Sequence, residues 1–312
     1  MSIAAIILAA VATFVVGLAA LYLFAPRVLF EQVRQALRRK GGLTRRSVRA
    51  GGFDWPFLEG GDAGGPPLVL VHGFGGDKDN WSLYAPFVRR GYRLIFPDLP
   101  GFGDNDRSLD ADHSIGAQAA RLAAFLDALG IEKCHLGGNS MGGAIALRFA
   151  LDCPQRLLSL TLFNNAGVLG TEASELQQMV ERGETPLVVR TFADIDRLLA
   201  FIAYNPRFIP VGFKRVIFAD MKRHEALLDK IFNQIVEEML ERPYNDRLAE
   251  LSVPTQIIWG RHDRLIDVSC AYVQNQAIVG SELVILEDVG HVPMIEQPAE
   301  TARHHLGFLA KQ

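Results

Sequence analysis

The chain has 312 residues, is 49% hydrophobic, and sets 32 Lys and Arg against 35 Asp and Glu for a formal net charge of -3. That is more chain than one core usually fills, ~250 to 300 residues, so one large soluble domain plus an extra piece is expected. Three cysteines, Cys134, Cys153 and Cys270, show neither zinc spacing nor a disulfide framework and read as small packing residues.

The extra piece is N-terminal. Ile3 to Ala25 carries no charged side chain, and at ~1.5 Å rise it would reach ~35 Å as a helix, enough for a hydrocarbon core of ~30 Å. Residues 1–26 are therefore expected to be a transmembrane anchor. A cleaved signal peptide is disfavoured because no basic n-region precedes the run. A buried core helix is disfavoured because the segment lacks a polar face.

Residues 27–52 hold Arg27, Arg34, Arg38, Arg39, Lys40, Arg45, Arg46 and Arg49 against one acid, Glu31. Of the 32 basic and 35 acidic side chains, eight and one lie before Ala50, so the remainder carries a formal net of -10. Leu29, Val33 and Leu37 recur every four residues, the pattern of an amphipathic juxtamembrane helix lying on headgroups with its arginines reaching phosphate. A solvated basic linker is the plainer alternative. A nucleic-acid partner is disfavoured, since the rest is acidic and carries no reader motif. Positive charge on this flank argues for a cytosolic catalytic domain.

Phe53 to Leu58 reads as a strand, followed by a turn-rich stretch to Pro67. Leu68 to Val71 is a short apolar strand delivering His72-Gly73-Phe74-Gly75-Gly76, and Arg93 to Phe96 is another, ending in a Pro-Gly loop. Ile115 to Leu129 has helical periodicity and stops at Gly130. Cys134-His135-Leu136 then leads into Gly138-Asn139-Ser140-Met141-Gly142, and apolar helix spacing follows to Leu151.

That strand, tight turn and helix make Ser140 a candidate nucleophile. Glycines flank it because a Cβ would crowd a strained turn, and the helix N-terminus favours negative charge developing there. Leu157 to Phe163, Thr255 to Trp259 and Leu283 to Leu286 supply further strands. Alternating strands and helices imply a mostly parallel α/β sheet covered on both faces, in residues 53–168 and 249–312. Residues 169–248 interrupt this rhythm with helical patterns at Ile195 to Ala203 and Ala226 to Met239. They carry Phe192, Phe201, Tyr204, Phe208, Phe213, Phe218 and Phe232. The interval reads as a helical lid over the strand ends, where open sheets place ligands.

A serine hydroxyl needs a general base. His291 fits, on a loop after the last strand, and Asp263 fits as the acid just past Thr255 to Gly260. The separations are 123 residues from serine to acid and 28 from acid to histidine. Asp267 is the rival acid. His135, His262, His304 and His305 lie in a strand, beside the acid, or in the terminal helix, and read as packing or surface residues. The backbone amides of Met141 and Phe74 are the candidate oxyanion donors. In the implied reaction His291 takes the Ser140 proton, Asp263 orients the ring, and an acyl-enzyme forms and is hydrolysed, with no metal or organic cofactor.

His72-Gly73-Phe74-Gly75-Gly76, Gly138-Asn139-Ser140-Met141-Gly142, Gly260-Arg261-His262-Asp263 and Gly290-His291-Val292-Pro293 resemble the motifs of α/β-hydrolases of the lipase and esterase type over Phe53 to Ala310. The chain is similar, more narrowly, to membrane-anchored bacterial monoacylglycerol lipase-like and phospholipase A-like enzymes. That resemblance implies hydrolysis of monoacylglycerol, lysophospholipid or phospholipid esters, a periplasmic catalytic domain on the inner membrane, and homodimerisation through the anchor region. The same elbow resembles that of carbon–carbon bond hydrolases acting on aromatic ring-fission products, so this chemistry stays open. Serine-dependent haloperoxidase-like activity is more remote, and dehalogenase or epoxide hydrolase chemistry would need a carboxylate where Ser140 stands. A catalytically silent membrane scaffold is the alternative of another class.

Overall fold

Short apolar runs of alternating inward preference organise the molecule, a computed structural model that describes residues 2–312 apart from the side chains at 14, 15 and 18–20. The strands are β1 (Leu43–Ala50), β2 (Phe53–Gly61), β3 (Pro67–Val71), β4 (Arg93–Pro97), β5 (Cys134–Asn139), β6 (Leu157–Phe163), β7 (Thr255–Gly260) and β8 (Glu282–Leu286). They form one sheet in the order β1-β2-β4-β3-β5-β6-β7-β8. Pairing is antiparallel from β1 to β4 and parallel through the rest.

Period-2 geometry sorts each central strand between two cores. Val69, Val71, Leu136 and Leu160 face Leu122, Phe125, Ile145 and Phe149, from helices α3 (Ile115–Ala128) and α4 (Met141–Asp152). Leu68, Leu70, Leu94 and Ile258 face Trp81, Tyr84, Val88 and Phe308 on the other side. This is the α/β-hydrolase architecture expected from the sequence.

The N-terminal 50 residues depart from expectation. Residues 43–50 are not linker but edge strand β1, paired in register with β2 from Leu43↔Gly60 to Ala50↔Phe53. The turn is Gly51-Gly52, with φ of 56° and 87°, the left-handed pair that a two-residue hairpin requires. Arginines along β1 suit an unpaired edge, where charge discourages further strand addition.

Helix α1 (Ile3–Phe24) occupies the expected anchor and exposes its described apolar side chains, Ile3 and Phe24 among them. Among the described residues no helix is long and apolar enough to cross a membrane, so the span remains a sequence reading. Helix α2 (Pro26–Gly41) is amphipathic as expected, but Arg34 and Arg38 turn to the protein's own Asp77 and Asp79 rather than outward. Both lie close enough for direct ion pairs, which a phosphate would have to displace.

The interval 169–248 lies between β6 and β7 as four helices: α5 (Glu175–Glu181), α6 (Phe192–Ile202), α7 (Val211–Arg223) and α8 (Glu225–Glu241). Ile231, Phe232 and Ile235 of α8 are buried in the same core as Val71 and Met141, so this cap is seated over the carboxyl ends of β3 and β5. Phe201 and Phe232 are buried, Phe192, Phe213 and Phe218 partly so, and Phe208 is 88% exposed. The aromatic run therefore serves mostly as packing. Helix α2 packs on α7, where Phe30 meets Phe213 edge-on with centroids 5.3 Å apart.

Candidate active site

Each expected residue follows the carboxyl end of a strand. Ser140 caps α4 with φ 56° and ψ -123°, a sparsely populated region that persists only where surroundings enforce it. The enforcement is steric: a Cβ at Gly138 would fall 2.1 Å from the Gly142 carbonyl oxygen, and one at Gly142 would fall 2.4 Å from that of His72. Between them, the buried Asn139 Nδ2 donates to the carbonyls of Phe163 (3.1 Å) and His291 (3.0 Å). The serine turn is thereby bonded to the histidine's own backbone. Among the described residues no hydrogen bond joins Ser140 Oγ to His291, whose Nδ1 is taken by Asp263 and whose carbonyl is taken by Asn139. Such contacts commonly tighten only once substrate is bound.

His291 Nδ1 and Asp263 Oδ2 are 2.8 Å apart and buried. Asp263 Oδ2 also accepts from Asn164 Nδ2 at 2.7 Å, and Oδ1 accepts from the amides of Leu265 (2.8 Å) and Ile266 (3.0 Å). Four donors saturate the carboxylate and fix its plane, which dictates the imidazole tautomer with hydrogen on Nδ1. Asn164, at the end of β6 with φ 43°, also accepts from Gly260 N at 3.3 Å. Sequence reasoning missed it; the signal was an Asn-Asn pair directly after a buried strand.

The amides of Phe74 and Met141 donate to nothing within the protein among the described residues. Gly73 lets this loop close on the elbow, since a Cβ there would meet Ser140 Cβ at 3.0 Å. His72 fixes the loop. Its Nδ1 donates to the Gly73 carbonyl at 2.8 Å while Nε2 accepts from Leu99 N at 3.1 Å. The Gly73 carbonyl and Phe74 N–H belong to one planar unit and point opposite ways, so holding the first aims the second. Complete burial pulls the imidazole down to about 4, opposed by its bond to Gly73, and keeps Nε2 an acceptor.

Beyond the glycines the loop is held by charge. Lys78 and Asp98, both fully buried, pair at 2.7 Å, and Lys78 Nζ also reaches Asp104 at 2.6 Å. Arg38 makes a two-pronged contact with Asp79, 2.6 and 2.7 Å, and Arg34 bonds Asp77 at 2.8 Å and Asp79 as well. Burial pushes the Asp79 carboxyl up, but Arg38 and Arg34 outweigh it and hold the group down at about 2.

A cavity of about 130 Å³ opens over Ser140, Met141 and Phe74 and runs between α5 and α8 along Leu176, Val180, Phe232 and Met239. Among the described residues its charged lining consists of Glu172 and Asp267, with no Lys, Arg or His. Asp267 bonds Ser269 N at 2.8 Å and is not joined to His291, so the structure brings Asp263 and not the rival acid to the histidine. His262 stacks on Tyr204 with centroids 4.0 Å apart, His135 bonds Ser159, His305 is buried against Tyr84, and His304 pairs with Glu300. Burial pushes the thiols of Cys134 and Cys270 up to about 12, so both are packing groups at neutral pH. No cluster of metal-ligating side chains occurs among the described residues.

Residues 68–304 match the family described as the alpha/beta hydrolase family. Lipase 1 of Psychrobacter immobilis is 34% identical over 280 residues, 89% of this chain and 88% of its own. Monoacylglycerol lipase ABHD6 of Bos taurus is 31% identical over 306 residues, 95% and 91% of the two chains. A solved structure described as a membrane phospholipase A, a novel bacterial virulence factor, is 39% identical, covers 99% of both chains and superposes with a TM-score of 0.88.

Proposed function

The chain belongs to the alpha/beta hydrolase family and is an ester-hydrolysing serine hydrolase, and from that premise we propose that it cleaves lipid-like carboxylic esters at Ser140. His291 removes the Ser140 proton, with Asp263 orienting the ring and stabilising its charged form. The serine attacks the ester carbonyl, the amides of Phe74 and Met141 take the oxyanion, and His291 protonates the departing alcohol. Water repeats the sequence on the acyl-enzyme and releases the fatty acid.

The observation that carries the substrate class is the cavity above Ser140, apolar along its length and without a cation in its lining. An acyl chain gains there by burial, about 0.8 kcal/mol per CH₂. A ring-fission dienoate, the substrate of the carbon–carbon hydrolase reading, would bring a carboxylate against Glu172 and Asp267 with nothing to pair it. Monoacylglycerol, and lysophospholipid or phospholipid cleaved in the phospholipase A manner with the phosphate left outside the cavity, remain the fitting chemistry. Similarity to lipases, a monoacylglycerol lipase and a membrane phospholipase A supports the same class.

The apolar helix α1, exposed along its described side chains, supports retention at a membrane through residues 3–25. The deciding experiment assays detergent-solubilised full-length protein, and a form lacking residues 1–25, on a panel of acylglycerols, phospholipids and a ring-fission substrate. Turnover of medium-chain acyl esters is expected, absent in Ser140→Ala by roughly five orders of magnitude. Exclusive turnover of the ring-fission acid, or full ester turnover by Ser140→Ala, would overturn the reading. Retention of the truncated form in the membrane fraction would overturn the anchor.

A further inference from the structure

Glu296 lies outside every motif that carries the chemistry, yet its carboxylate joins two parts of the molecule that must agree in position. Oε1 accepts from the amides of Gly290 (3.0 Å) and Val292 (3.3 Å), the two neighbours of His291. Oε2 accepts from the amides of Tyr204 (2.7 Å) and Asn205 (3.5 Å), in the cap just beyond α6. The amide between the first pair, that of His291 itself, donates to the carbonyl of Ile202 in α6 at 2.8 Å. Three consecutive amides of the histidine loop are thus taken by Glu296, the cap, and Glu296 again.

The contact is close as well as bonded. A Cβ at Gly290 would lie 2.7 Å from Tyr204 N, so only glycine lets the cap segment rest on this loop. Among the described residues no lysine or arginine forms an ion pair with the Glu296 carboxylate, which is held by backbone dipoles alone.

We propose that Glu296 is a positioning residue that sets the His291 ring for proton transfer and couples that setting to the placement of the cap. Asp263 fixes the ring from Nδ1, but a ring has to be fixed at its backbone too, or Nε2 swings away from Ser140. Asn139 holds the His291 carbonyl, and Glu296 with the Ile202 carbonyl of the cap holds the amides on and around it. The inference rests on the reading of His291 as general base.

The test compares Glu296→Ala, Glu296→Gln and Glu296→Asp in the full-length protein on a short, water-soluble ester, with sites counted by exhaustive fluorophosphonate labelling. Glu296→Ala is expected to lower kcat about 30-fold with KM within about twofold, inside the ~10²-fold cost of an ångström-scale misplacement. The low-field proton resonance of the His291 to Asp263 hydrogen bond should shift or broaden. Glutamine keeps one acceptor oxygen and turns an NH₂ toward two amide donors, so an intermediate loss is expected, and aspartate should recover part of the rate. A kcat within twofold of the native value in both the alanine and glutamine variants would overturn the proposal. So would a loss confined to KM, or a loss with the low-field resonance unmoved. The parent reading fails separately, if Ser140→Ala retains turnover.

Discussion

The two halves of the site are held by different physics. On the acid-base side, Asp263 and His291 are fixed by hydrogen bonds from Asn164, Asn139 and backbone amides, with no lysine or arginine among those donors. On the oxyanion side, the loop carrying Phe74 is flanked by Lys78, Arg34 and Arg38 against Asp98, Asp104, Asp77 and Asp79. Short backbone-directed bonds impose geometry at modest net cost each. Buried charges impose it only while every partner is present, because an orphaned charge is far more expensive than the pair was favourable. The oxyanion side should therefore be the more fragile of the two to substitution and acid.

Lys78→Met probes that asymmetry most severely. It leaves Asp98 buried with no cation, a loss of about 3 to 5 kcal/mol for breaking one partner of a buried pair. Urea unfolding measures it. Adding Asp98→Asn should restore part of the stability, since the orphaned charge is then gone. Equal destabilisation in the single and double variants would show that packing rather than charge holds this loop.

Acid is the next lever. His72 is held neutral by burial, down to about 4, and His305 likewise, to about 3. An unfolded histidine protonates near 6.5, so between about 6.5 and 4 the unfolded state binds more protons. Stability therefore falls as pH drops through that window, by on the order of 3 kcal/mol for His72. Protonation of His72 would also set an N–H against that of Leu99, releasing the Gly73 to Phe74 peptide. Unfolding free energies measured from pH 7 to 4 should decline with this slope, and His72→Asn should flatten it. A flat native profile would remove His72 from the account.

On the acid-base side, Asn164→Ala deletes a 2.7 Å donor to Asp263 and an acceptor for Gly260 N. It also places alanine at a φ of 43°, where asparagine is better tolerated. A cost of roughly 2 kcal/mol is expected, with kcat down about tenfold and KM little changed. If Asn164→Ala destabilises as much as Lys78→Met, the two halves are not held by different physics.

These contacts also divide what was legible in the sequence from what was not. The central strands were readable because each is an apolar run of four to seven residues bounded by turns, and their ends agree closely with Leu157–Phe163 and its neighbours. Ser140, Asp263 and His291 could be singled out because a turn, a strand end and chain order mark them. Strand β1 was hidden by its arginines, which read as a membrane flank, although Gly51-Gly52 was a hairpin signal in plain view. The partners of Arg34 and Arg38 lie 41 to 45 residues away, beyond any local pattern. Glu296 acts through backbone amides, which leave no residue type to recognise, and Asn164 acts on a carboxylate 99 residues away.

The smallest expected effect reaches the oxyanion loop from the amphipathic helix. Arg38→Met removes both prongs on Asp79 but leaves Arg34 in place, so Asp79 stays paired and the stability cost should be about 1 kcal/mol. The signature lies in its pH and salt dependence. Asp79 is held down at about 2, below its unfolded value near 4, so its contribution is full above about pH 4 and is lost as pH falls toward 2. Weakening its cationic partners raises that folded value, narrows the gap and moves the loss to higher pH. It also leaves a lone Arg34 contact more open to screening, with a Debye length near ~3 Å at 1 M salt. Arg38→Met should therefore lose short-ester turnover about threefold in 1 M NaCl where the native enzyme loses little. Equal salt responses would mean that the helix only rests against the loop and does not help to aim Phe74.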